Sequence, residues 1–154
     1  MTNMKKKDFL FVICLLLVLV LIFPLRWTVA FWGNNAALKR YEKEVTGRFV
    51  LTEDMAILDV VSGCGNTAGT SNGVELYVGI LIRTSLSEDS LKELYTVEEG
   101  VYAGLEEITN DKAQTRVMYN LDLSFSYQIE EDENYYVVEF FRSAPFYQSD
   151  LRGH

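Results

Sequence analysis

The longest pattern in the chain is a run rather than an alternation. FLFVICLLLVLVLIF, residues 9–23, carries no charge and no helix-breaking residue. Continued through Pro24, Leu25, Trp27, Val29, Ala30, Phe31 and Trp32, it reaches the roughly 20 apolar residues that cross about 30 Å of hydrocarbon. Arg26 is the one charge within it, close enough to the end for its long stem to carry the guanidinium to the headgroups. Residues 9–32 are therefore read as a transmembrane helix, with Phe9, Leu16, Leu19, Phe23, Trp27 and Trp32 as membrane-anchoring side chains. Trp27 and Trp32 are the only tryptophans, and both lie at one end, as an interfacial belt does.

Past the run the period becomes helical and then two-fold. Ala37, Leu38, Tyr41 and Val45 share one helical face, while Lys39, Arg40, Lys43 and Glu44 fall mostly on another. Gly33-Asn34-Asn35 reads as a break and Thr46-Gly47 as a stop, so residues 33–46 are expected as a juxtamembrane stalk. Residues 49–51 and 55–61 are strand-like. Val74, Leu76, Val78, Ile80 and Ile82 alternate without a miss, and Tyr77, Gly79 and Leu81 make the opposite face partly apolar. That is the pattern of a central strand covered on both sides. Between these strands lies a small-residue loop, residues 62–73, with four glycines, so the pair reads as a hairpin with a long connection.

Ser85 or Ser87 caps a short helix whose inner face is Leu91, Leu94 and Tyr95. Residues 101–108 are a weak strand pattern. Val117, Tyr119, Leu121, Leu123, Phe125 and Tyr127 alternate with polar residues and predict one half-buried strand. After the acidic turn 130–134, residues 135–142 return as a strand that is apolar on both faces. The whole is expected to be α+β: a transmembrane helix, then a small domain with an antiparallel sheet of about four to five strands and one packed helix. The expected divisions are a basic N-terminus 1–8, the anchor 9–32, the stalk 33–46, an extracytoplasmic domain 47–148 and a flexible tail 149–154.

Charge gives that arrangement a direction. Lys5, Lys6 and Lys7 stand against the run with only Asp8 opposing, and dense positive charge stays in the cytoplasm. Residues 1–33 carry +3 and the chain −8, so the remainder carries −11. An acidic outer domain is repelled by phosphate backbones, so nucleic acid is not an expected partner. The expected partners are the lipid bilayer and a protein of the envelope or membrane. The alternative, a cleaved signal peptide, has a passable site at Thr28-Val29-Ala30. Arg26 and two bulky tryptophans crowd that site, so an uncleaved anchor with the N-terminus inside is the preferred reading.

Candidate chemistry is sparse. Of two cysteines, Cys14 lies in the run and Cys64 in the outer domain, so no disulfide between them is expected. Val61-Ser62-Gly63-Cys64 resembles the motif around a lipidated cysteine, but the long apolar run ends roughly forty residues earlier rather than against it. As a nucleophile Cys64 lacks a neighbouring base, since the only histidine is His154. One histidine and one outer cysteine do not make a zinc centre, and residues 130–133 lack the spacing of a calcium loop. No cofactor, metal or catalytic residue is expected. If the domain has a recognition site, the glycine-rich loop is its first expected location, through Cys64, Asn66, Thr67, Thr70 and Asn72. The function expected is non-catalytic binding of a protein or small envelope component. An envelope enzyme using Cys64 or a carboxylate pair, and a structural subunit of a membrane complex, are the alternatives.

Overall fold

The computed structural model describes residues 6–67, 73–95, 102–108, 115–118, 121–129 and 134–153. Its largest element is α1 (Lys6–Arg48), 43 residues long, about 65 Å at 1.5 Å per residue. Two features would favour a break, and neither makes one. Pro24 lacks an N–H, yet α1 continues, and the Thr28 hydroxyl donates to the Pro24 carbonyl at 3.1 Å. Gly33-Asn34-Asn35, expected as a break, lies within α1. The reason is tertiary: their weak helix propensity is outweighed by contacts described below.

The two halves of α1 differ in what covers them. From Phe9 to Ile22 the large apolar side chains are exposed, and this stretch lies in a segment long and apolar enough to cross a membrane. From Ala30 on, a stripe of Ala30, Asn34, Ala37, Tyr41 and Val45 is buried. Those positions recur every three or four residues, so they form one face. The region expected as a free stalk is therefore part of the domain core.

That face lies on a four-stranded antiparallel sheet. β1 (Met55–Gly65), β2 (Glu75–Thr84), β6 (Tyr135–Ser143) and β3 (Tyr102–Ile108) adjoin in the order β1-β2-β6-β3. The sheet and α1 make the fold α+β, as the sequence predicts. β2 is central, with Ile80 opposite Val60 on one side and Val138 on the other. Leu76, Val78, Ile80 and Ile82 meet Ala37, Tyr41 and Val45 of α1, together with Leu91 of α2 (Glu88–Leu94). On the other face Leu81, Tyr135 and Val137 are closed over by Phe125, with Tyr127 and Ile129 beside it. Both faces of β2 are thus covered.

β1 is longer than expected. It runs through Ser62, Gly63 and Cys64 to Gly65, taking in the first part of the predicted loop. A bulge at Leu58 shifts its register, so that Ile57 faces Ile82 and Asp59 faces Leu81. Gly63 is needed where it stands: a Cβ there would come within 2.7 Å of the Leu121 side chain. The single strand predicted over 117–127 is instead a small hairpin of β4 (Thr115–Met118) and β5 (Leu121–Ser124), paired Met118 to Leu121. A period of two continues unchanged through a reversal and does not mark one.

The tail expected to be loose is bound. A 3-10 turn, Leu151–Gly153, follows β6, and Asp150 is 1% exposed. Residues 144–153 lie against α1 between Arg26 and Asn35, which fixes the end of the sheet nearest the apolar half of α1.

Candidate functional site

The expected binding loop is divided by the structure. Cys64 is in β1, buried at 6% exposure. Asn66 is also buried, and the Thr67 hydroxyl donates to the Glu75 carboxylate. Thr70 and Asn72 lie outside the described residues. The described part is therefore framework, turned into the domain rather than offered from it.

Cys64 has two charged neighbours, Arg152 and Asp150. Burial pushes its thiol up to about 11; Arg152 works against that and Asp150 with it. At neutral pH the sulfur keeps its proton, and a thiol is a poor nucleophile. Among the described residues no group of three or more His, Cys, Asp or Glu side chains converges as metal ligands would.

A buried polar cluster joins α1 to residues 144–153, and its members are not singled out as a site by the sequence. Asn34, fully buried, uses both ends of its amide. Its Nδ2 donates to Asp150 Oδ2 at 2.9 Å, and its Oδ1 accepts from the Phe146 N–H at 3.0 Å. Arg152 closes the cluster, donating to Asp150 at 2.6 and 3.0 Å and to Asn35 Oδ1 at 2.8 Å. Its guanidinium lies 4.4 Å from the centre of the Phe31 ring. Burial would raise the Asp150 carboxyl, but hydrogen bonds from Arg152 and Asn34 hold it below the usual range. The only sequence signal for this cluster was negative: two asparagines in the middle of a helix have to be compensated somewhere.

A second cluster holds α1 further along. Arg142 of β6 makes a two-pronged contact with Glu44 at 2.9 and 3.0 Å and lies 4.4 Å over the Tyr41 ring. The Arg142 hydrogen bonds draw the Glu44 carboxyl below its ordinary value. On the opposite face Asp59, placed by the bulge, accepts from the Ser126 N–H at 2.5 Å, the Ser126 hydroxyl at 2.8 Å and the Tyr127 N–H at 3.3 Å. The charged groups of all three clusters are partnered by the chain itself, although the buried Tyr41 hydroxyl in the second has no hydrogen-bond partner, so they read as fastenings.

The open space is elsewhere. A groove of about 420 Å³ lies where β1 begins and β2 ends, lined by Glu53, Asp54, Arg83, Thr84, Ser85 and Asn134 with Met55 and Ala56. Ten residues of β2 separate it from the end of the sheet beside residues 144–153, roughly 30 Å at about 3.3 Å per residue. Its lining is polar and carries both signs of charge, which suits a polar ligand or a protein loop better than an apolar one.

The residues expected to anchor the chain in a membrane fall as follows. Phe9, Leu16, Leu19 and Trp32 are exposed and Trp27 is partly covered. The side chain of Phe23 is outside the described residues, as is Lys5; Lys6 opens α1, and Lys7 is exposed on it. No family model, curated protein or solved structure matches the chain.

Proposed function

We propose that this chain is a single-pass membrane protein, N-terminus in the cytoplasm, whose outer acidic domain binds a protein or small envelope component without catalysing a reaction. The observation that carries the anchor is an apolar window of mean hydropathy 2.9 in α1 of which the domain covers 0%. In water that much uncovered apolar surface is unfavourable; in a bilayer it is at home. Retention of the anchor is supported by what the domain takes from the same helix. Ala30 is buried at the supposed cleavage site, and Arg26 donates to the Ser149 hydroxyl at 2.9 and 3.1 Å. A cut after Ala30 removes both from the packed body.

Binding is supported by the groove lined by Arg83, Asp54 and Asn134, at the far end of the sheet from α1's apolar half. The buried, protonated thiol of Cys64 speaks against the enzyme alternative that relied on it.

The test is made on membranes from cells expressing the whole chain. The protein should stay in the pellet through an alkaline carbonate wash, with the intact mass of 17.6 kDa. Protease added outside intact spheroplasts should digest the domain. Recovery in the soluble fraction, or a domain protected until the cells are lysed, overturns the anchor. A pull-down whose bound component is lost with Arg83→Glu supports the groove; identical recovery from wild type, Arg83→Glu and a chain lacking the domain refutes it.

A further inference from the structure

We propose that residues 144–153 form a second membrane contact, an apolar collar that seats the base of the domain in the lipid headgroup region beside the anchor. This rests on the anchored reading above and adds a surface to it. Among the described residues outside α1, six large apolar side chains are exposed, and three of them, Phe146, Tyr147 and Leu151, lie in this segment. Leu151 is 57% exposed although it stands next to the fully fastened Asp150. The segment is held so that these side chains join those of α1. The Phe146 ring fills the space over Gly33, where a Cβ would come within 2.8 Å of its Cδ2. Arg152 covers the Phe31 ring, and Phe31 meets Trp32 edge-on at 6.0 Å. Phe146 is thus held at Gly33 and Arg152 at Phe31, and the exposed Tyr147 and Leu151 are their chain neighbours, near the level of Phe31 and Trp32 where the proposed anchor leaves the bilayer.

Charge argues for lipid rather than another partner. The domain side of the chain carries −11, yet the one acid in residues 144–153 is Asp150, and it is buried and paired. Arg26 donates to Ser149 and Arg152 to Asn35, so both guanidinium groups lie where residues 144–153 meet α1. Exposed apolar side chains beside the Arg26 cation, with no exposed acid in residues 144–153, match the boundary between acyl chains and headgroups. Tyrosine and tryptophan favour that depth because they present an apolar body and a polar tip.

The experiment uses the whole chain in vesicles of phosphatidylcholine and phosphatidylglycerol. Cysteines are introduced singly on a Cys14→Ala background as Leu151→Cys and, on α2 away from the base, Asp89→Cys, and each is labelled with an environment-sensitive fluorophore. Lipids with a nitroxide near the top of the acyl chain should quench the label at 151 severalfold more than the label at 89. Trp27 and Trp32 fluorescence, read in the same samples, reports the anchor independently. Tryptophan quenching with equal, weak quenching at 151 and 89 overturns the collar and leaves the anchor standing. Absence of tryptophan quenching overturns both.

Discussion

Asn34 is the residue that decides how the C-terminal segment lies on α1, because its two amide atoms serve Asp150 and the Phe146 backbone at once. Asp150 is the more testable partner, since it carries charge. With Asp150→Asn the charge-assisted bonds from Arg152 are lost and a buried cation-accepting group disappears. The expected loss is about 2–3 kcal/mol near neutral pH, read by chemical denaturation of the detergent-solubilised chain. The pH dependence has a definite sign. The folded Asp150 carboxyl is held below its ordinary value of 3.8. Its contribution is therefore complete above that value and is lost as pH falls through the lowered folded value. Glu44, also lowered, adds to the same acid loss. Wild type should lose stability across that acid window more steeply than Asp150→Asn; parallel curves would refute the assignment.

At the scale of elements, two glycines of α1 should respond in opposite directions. Gly33 faces the Phe146 ring, whereas nothing lies within 4 Å of a Cβ on Gly47. Gly33→Leu should cost about 1–3 kcal/mol by overpacking. Gly47→Ala should stabilise by up to about 1 kcal/mol through helix propensity. Thermal melts of both variants against wild type check the pair, and equal signs would contradict the packing described. The elements also show what a sequence makes legible. β2 could be read because burial on both faces left apolar residues at nearly every position from Leu76 to Ile82. The cap of α2 could be read because the Ser87 side chain accepts from the Ser90 N–H three residues on, at 3.3 Å. The continuity of α1 through Gly33-Asn34-Asn35 could not, because what sustains it lies more than a hundred residues away in sequence. For the same reason Cys64 reads as a loop residue among glycines, although in the fold its neighbours are Leu76 across the ladder and the charges of Asp150 and Arg152.

For the molecule as a whole, the boundary between apolar segment and domain falls inside a helix rather than at a linker. A chain beginning at Leu25 keeps the contact of Arg26 with Ser149 and the buried stripe from Ala30 to Val45. It should fold cooperatively in water. A chain beginning at Lys39 loses Ala30, Asn34 and Ala37 from the core and should show neither a cooperative denaturant transition nor near-ultraviolet dichroism. Equal behaviour of the two would mean that residues 33–46 are a stalk after all. The groove is absent from any sequence pattern because its lining comes from the turn at 53–54, the end of β2 and Asn134.

An unbroken rod that is core at one end and bare at the other has no hinge at which to take up slack. Torque or a pull on residues 6–25 passes along α1, unbroken at Pro24, into Tyr41 and Val45 and from there to the middle of the sheet. The body therefore turns as its stem turns, and whatever sets the stem's tilt also aims the groove at the far end.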